Sequence, residues 1–67
     1  MKMYKVKMPL RIAAQFAKWT FENSVRVILS YTTDEFFDGF LIAYCAVEEG
    51  EREAAFVEEF GKYFLKN

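Results

Sequence analysis

The spacing of the apolar side chains changes abruptly at Pro9, and this change constrains the fold more than any other feature of the chain. Residues 2–8 alternate between apolar and basic side chains. The apolar set is Tyr4, Val6 and Met8, and the basic set is Lys5 and Lys7. Such a period of two predicts a β-strand with one face in water. Beyond Pro9 the apolar period becomes helical, so a strand must lead directly into a helix.

The predicted first helix runs from about residue 10 to residue 22. Proline suits the first turn of a helix, where its missing N–H has no intrahelical partner, and the alanines that follow favour helix. Its apolar stripe consists of Ile12, Phe16 and Trp19, with Ala13, Ala17 and Phe21 beside it. We expect this stripe to pack against a sheet.

Two further strands are predicted, at residues 25–31 and 40–47, because both runs are rich in apolar β-branched or aromatic residues. Strict alternation in the first of them would place Val25, Val27, Leu29 and Tyr31 on one face. The pair Asp38-Gly39 favours a tight turn that folds residues 35–37 back onto 40–42. The two strands are therefore expected to be neighbours in an antiparallel hairpin. Residues 34–47 also fit a helical period, and a helix there is the alternative.

The last predicted element is a helix from Gly50 to about residue 65. Its apolar stripe would be Val57, Phe60 and Phe64, with Phe56 and Tyr63 adjoining, and Gly61 would lie inside it. The predicted fold is therefore α+β, a β-α-β-β-α open-faced sandwich with two helices packed on one face of a small, mainly antiparallel sheet. The alternative is a mostly α fold with residues 34–47 helical. A chain of 67 residues supports one core, so residues 1–67 are predicted to form a single domain.

The first helix resembles a known motif. Ala13-Ala14-Gln15-Phe16-Ala17-Lys18 is similar to the helix of the histidine-containing phosphocarrier family, the HPr-like fold, and Arg11 falls where that family's arginine helps hold the phosphate. Residues 25–31 resemble the family's second strand. Residues 39–44 and 51–64 resemble its last strand and terminal helix. The chain is about twenty residues shorter than the family's usual length, as if a middle segment were deleted.

The resemblance fails at the residue that carries the family's chemistry. Pro9 stands where the phosphate-accepting histidine is expected, Ile12 replaces a proline, and the chain has no histidine at all. Proline offers neither a nucleophile nor a donor, so phosphohistidine transfer is excluded. Arg11 at a helix N-terminus leaves a weak anion or phospho-ligand sensor as one alternative function.

The chain does not contain the residues that other common catalytic mechanisms require. Without histidine there is no Ser-His or Cys-His pair, and the single cysteine, Cys45, cannot build a zinc site. We therefore predict no enzyme activity, no metal and no cofactor. Cys45 lies in an apolar run and is predicted to be a buried structural thiol. No segment resembles a signal peptide or a membrane span of about 20 residues, so a cytoplasmic location is expected.

Charge is distributed unevenly along the chain. Residues 1–31 carry six basic residues against one acid, whereas residues 32–67 carry three against nine. The basic half makes a nucleic-acid partner an alternative. The sequence pI of 5.3 argues against it, because nine acids would meet the phosphates.

Thirteen aromatic residues exceed what so small a core buries, and this excess predicts an apolar interaction surface. The candidate surface residues are Trp19, Phe36, Phe37, Phe56 and Tyr63, with Arg11 and Lys18 at the rim. The predicted function is a small non-enzymatic protein-binding or regulatory module with a degenerate HPr-like fold, acting by self-association or on a partner protein. An inhibitor of a host protein, of the kind that phages or mobile elements encode, is a further alternative.

Overall fold

The computed structural model describes residues 1–33 and 39–65. The elements are β1 (Lys2–Pro9), α1 (Leu10–Glu22), β2 (Arg26–Thr33), β3 (Phe40–Val47), α2 (Glu51–Phe60) and a short 3-10 turn (Gly61–Tyr63). The strands form one antiparallel sheet in the order β1-β3-β2. The predicted α+β sandwich with helices on one face is confirmed, and the helical alternative is wrong for residues 40–47.

Helix α1 has the predicted bounds, and its C-terminal end is defined by polar contacts. Pro9 is the last residue of β1 and the N-cap, with φ −59°, instead of lying in the first turn. At the other end, the backbone and side-chain amides of Asn23 both donate to the carbonyl oxygen of Trp19, at 3.0 and 2.9 Å. Ser24 then adopts a left-handed φ of 56°, which reverses the chain and starts the path into β2.

Strands β2 and β3 are antiparallel neighbours, as predicted, but with different partners. Phe40 pairs with Thr33 and Ile42 pairs with Tyr31. On its other side β3 pairs with β1, so that Phe40 also lies opposite Pro9. Both edges of residues 40–42 are therefore occupied by β1 and β2. The predicted pairing of residues 35–37 with them concerns residues that lie outside the described ranges.

A bulge in β2 overturns the predicted face of that strand. Val27 lies opposite Cys45, whereas Leu29 lies opposite Tyr44, so the register shifts by one residue at Ile28. Because neighbouring residues of β3 point to opposite faces, Val27 faces the helices and Leu29 faces away from them. The predicted common face for Val25, Val27, Leu29 and Tyr31 is wrong.

Helix α2 is shorter than predicted and buries a different stripe. It ends at Phe60, and after the 3-10 turn Phe64 is extended and bridges to Val6 of β1. The Leu65 N–H then donates to the carbonyl oxygen of Lys5 at 2.8 Å, so the chain after the 3-10 turn pairs with the sheet edge and does not continue the helix. Phe56 and Phe60 are buried, whereas Val57 is exposed. Gly61 is the C-cap of the helix and not an interior residue.

The core lies between the sheet and the two helices. Its buried hydrophobic residues are Val6, Met8, Phe16, Val25, Ala43, Cys45, Val47, Phe56 and Phe60. Rings contact one another at its centre, with 5.1 Å between the centroids of Phe16 and Phe60. Burial raises the pKa of the Cys45 thiol to about 11, which keeps it protonated and unreactive at neutral pH. The prediction of a buried structural thiol is confirmed.

Glu53 ties α2 to the start of β1. Its carboxylate accepts a hydrogen bond from the Tyr4 hydroxyl and lies 3.3 Å from the Lys2 ammonium. The hydrogen bond from Tyr4, assisted by Lys2, lowers the pKa of Glu53 below its ordinary 4.5, although burial opposes the shift. The same hydrogen bond, together with burial, raises the pKa of Tyr4 to about 12.

Glu53→Gln is therefore expected to lower stability in a pH-dependent way. A carboxyl whose folded pKa is depressed stabilises the fold above its unfolded pKa, and this contribution disappears as pH falls through the folded pKa. The stability gap between wild type and E53Q should be complete near pH 7 and should close below pH 4.5. Urea unfolding at several pH values measures it. Glu58→Gln, on the exposed side of the same helix, is the control, and an equal gap at all pH values would contradict the assignment.

Candidate binding surface

The sheet has one face that neither helix covers. We call it the open sheet face. It consists of Met3, Lys5 and Lys7 from β1, Arg26, Leu29, Tyr31 and Thr33 from β2, and Phe40, Ile42 and Tyr44 from β3. These residues alternate with core residues such as Val6, Met8, Ala43 and Cys45, which face the helices.

Apolar area on the open sheet face is accessible. Met3 and Leu29 are each more than half exposed, at 57% and 54%, and Tyr31 is 46% exposed. Phe40, Ile42 and Tyr44 on the central strand are half-buried. Antiparallel sheets often leave one face in water, but that face is then usually polar. Exposed apolar patches are typical of interaction sites, so this face is the candidate binding surface.

Two lysines lie over aromatic rings of this face. Lys5 Nζ is 5.2 Å from the centroid of the Tyr44 ring, and Lys7 Nζ is 4.7 Å from the centroid of the Phe40 ring. Hydrogen bonding with Tyr44 raises the pKa of Lys5, and the ammonium is charged at neutral pH. Each of these two lysines of β1 thus makes a cation–π contact with a ring of β3.

The charge of the open sheet face is of one sign. It carries Lys5, Lys7 and Arg26, and none of the residues of β1, β2 and β3 is acidic. The acids among the described residues are Glu22, at the end of α1, and six glutamates in α2 and the turn before it. The fold therefore separates a basic sheet face from the acidic helix α2, which lies on the other side of the sheet.

A groove extends the open sheet face around the outer edge of β1. It has a volume of about 590 Å³ and is lined by Met3, Tyr4, Lys5, Tyr44, Gly61, Phe64 and Leu65. Three of these seven residues come from the segment that follows α2. The groove widens the accessible surface beyond the strands themselves.

The surface residues predicted from sequence lie elsewhere. Phe56 is fully buried, so its assignment to a surface is wrong. Trp19 and Tyr63 are half-buried and pack against the core, where the Trp19 ring centroid is 5.5 Å from that of Phe60. Phe36 and Phe37 lie outside the described ranges. The described members of the predicted set, Trp19, Phe56 and Tyr63, therefore lie in or against the core and do not form an exposed apolar surface.

Arg11 and Lys18 are exposed on α1, on the helical side of the sheet, and do not border the open sheet face. Near Arg11 the first amide of the helix, that of Leu10, donates to the carbonyl oxygen of Gly39 at 3.3 Å. One of the donors that an anion would need is therefore engaged.

Sequence reasoning missed the open sheet face for two reasons. The run at residues 40–47 is apolar on both faces, so alternation could not show which side was uncovered. The bulge at Ile28 then placed Leu29 and Tyr31 on the face opposite to that of Val27, although the three were predicted to share one face. The only usable signal was Lys5 and Lys7, whose side of β1 was correctly predicted to be in water.

Within the described residues, no group of three or more Cys, Asp or Glu side chains is placed to hold a metal ion. No helix in residues 1–33 or 39–65 has the length and apolar character needed to cross a membrane. Comparison of the chain with protein-family models, with curated proteins and with solved structures gives no match.

Proposed function

We propose that this chain is a non-enzymatic protein-binding module that docks an acidic, apolar segment of a partner protein on the open sheet face. The observation that carries the proposal is the composition of that face: exposed apolar side chains beside three cations, with no acid on any strand. Apolar contact supplies affinity, and charge complementarity selects the partner and speeds association.

A protein fits this face better than a nucleic acid does. Three cations neutralise few phosphates, and affinity for nucleic acid grows with the number of phosphates contacted. The exposed side chains of Met3 and Leu29 are aliphatic, and apolar side chains of a protein bury them directly. A cytoplasmic location and descent from an HPr-like phosphocarrier remain predictions that accompany this proposal.

Peptide display with the folded chain as bait tests the proposal. We expect selection to enrich peptides that combine Asp or Glu with large apolar residues. Leu29→Asp should weaken binding of the selected peptides by at least about tenfold, because it places a charge at an apolar contact. Val57→Asp is the matched control, since Val57 is a 43% exposed aliphatic residue on the helical side.

Several outcomes would contradict the proposal. Enrichment of basic peptides would contradict the role proposed for the three cations. Equal losses of peptide affinity in Leu29→Asp and Val57→Asp would show that the peptide does not contact Leu29. Tight binding of a single-stranded oligonucleotide that weakens steeply with salt would identify a nucleic-acid module instead. Amide shifts of residues 10–13 on adding phosphate, abolished by Arg11→Ala, would favour the anion sensor.

A further inference from the structure

The two edge strands of the sheet, β1 and β2, differ in what pairs with their outer sides. At the β1 edge, Phe64 bridges to Val6, and the Leu65 N–H donates to the carbonyl oxygen of Lys5 at 2.8 Å. At the β2 edge, no strand within residues 1–33 and 39–65 pairs with the outer side. The outward N–H and C=O groups of β2 therefore form a row to which another strand can add.

Of the devices that usually protect such an edge, strand β2 carries the bulge at Ile28, which leaves the rest of the strand regular. Protected edge strands carry inward charges or proline, whereas β2 has Arg26 at its first position and no proline. It exposes apolar side chains instead: Ile28 is 55%, Leu29 54% and Tyr31 46% exposed. The bulge at Ile28 interrupts the ladder, and the regular part of the strand is the uncharged stretch Leu29–Thr33.

The β2 edge also has a groove beside it, on the side of the sheet that faces the helices. A groove of about 350 Å³ separates α1 from β2. Its lining residues are Ala13, Phe16, Ala17, Thr20, Val27, Ser30 and Leu41. The alanines of α1 leave β2 uncovered there, and Ser30 and Thr32 are exposed although they face the helices. A strand added at the edge would find room for side chains on both faces.

We propose that β2 pairs antiparallel with β2 of a second copy of this chain, through Leu29–Thr33 and centred on Tyr31, to form a continuous six-stranded sheet. Such pairing is symmetric about a two-fold axis, as in most homodimers. It sets Tyr31 opposite its own copy and Ser30 opposite Thr32, and aromatic and hydroxyl pairs of this kind stabilise antiparallel strands. Arg26 lies outside the paired stretch, so no like charges meet.

The dimer does not depend on the proposed partner binding. Ser30 and Thr32 face the helical side, whereas the partner is proposed to bind the opposite face. Substitutions at these two positions therefore test the dimer and leave the open sheet face unchanged. In the dimer the two open sheet faces join into one surface with twice the number of cations.

A charge-exchange experiment tests the pairing and its register together. In S30K/T32K, each lysine meets a lysine of the second copy, whereas in S30K/T32E each lysine meets a glutamate. Sedimentation velocity should show a concentration-dependent dimer for wild type. We expect a dissociation constant at least about tenfold higher for S30K/T32K and one similar to or below wild type for S30K/T32E. Circular dichroism verifies that both variants fold.

Cross-linking gives a second measurement of the same pairing. The Cα atoms of directly opposed antiparallel residues lie about 4.5–5.5 Å apart, within the range that a disulfide spans. Tyr31→Cys should therefore form a disulfide-linked dimer under mild oxidation with diamide, whereas Val57→Cys should not. Buried Cys45 does not compete for the oxidant.

Three results would overturn the proposal. Wild type could sediment as a monomer at all concentrations up to ~1 mM, a range that covers weak interfaces. The two charge variants could dimerise equally, which would place the contact away from Ser30 and Thr32. Tyr31→Cys could cross-link no faster than Val57→Cys. If wild type forms the dimer but binds no peptide, that result contradicts the proposed function and leaves the dimer proposal unaffected.

Discussion

Phe60→Ala is expected to remove a large share of the stability of this chain. Phe60 is 1% exposed and lies among three other rings, with centroid distances of 5.1 Å to Phe16, 5.5 Å to Trp19 and 5.7 Å to Phe56. Truncation removes the ring and leaves a cavity that the sheet and α1 cannot close, which costs about 3–5 kcal/mol. The whole stability of a domain this small is roughly 3–10 kcal/mol.

Urea unfolding monitored by circular dichroism and Trp19 fluorescence measures this effect. Val57→Ala is the control, because Val57 lies on the same helix and is 43% exposed, so its truncation should cost less than about 1 kcal/mol. A Phe60→Ala variant with a wild-type midpoint would show that the contact between α2 and α1 contributes little to stability, and would contradict the described core.

Gly39→Ala is expected to destabilise the fold by roughly 1–3 kcal/mol, because the added methyl has no room. A Cβ at Gly39 would lie 2.8 Å from the carbonyl oxygen of Thr33 and 2.5 Å from Cδ1 of Leu10. The Leu10 side chain is partly exposed and can rotate away. The Thr33 oxygen belongs to the backbone of β2, where Thr33 pairs with Phe40, so relief requires the end of the hairpin to shift.

Gly61→Ala provides the matched comparison. Gly61 has right-handed helical dihedrals, and its added Cβ would be 3.6 Å from Cγ1 of Val57, an ordinary contact. Its substitution should be neutral or should stabilise by about 0.4–1 kcal/mol, because alanine reduces the freedom of the unfolded chain. Thermal unfolding of the two variants side by side measures both effects. Equal melting temperatures would show that the close approach at Gly39 is relieved without cost.

Local patterns predicted the elements well and the surface poorly. Helix α1 begins and ends where Pro9, the alanines and the helical apolar stripe indicated, because helix limits depend on residues close in sequence. The predicted surface residues were chosen from the number of aromatic residues in the chain, and this number could not show which aromatic side chains would be buried in the core. Phe56, predicted to be accessible, fills the centre of the core together with Phe60.

The amino-acid sequence by itself determined the element types, their order and the absence of phosphohistidine chemistry, since these follow from local periodicity and from which residue types are present. Tertiary structure alone decided three other features: the sheet order β1-β3-β2, the face to which Leu29 and Tyr31 point, and the end of α2 at Phe60. The physical reason is that a bulge, a central strand and an edge pairing exist only between segments distant in sequence. Local propensity carries no information about which distant backbone will satisfy a given hydrogen bond.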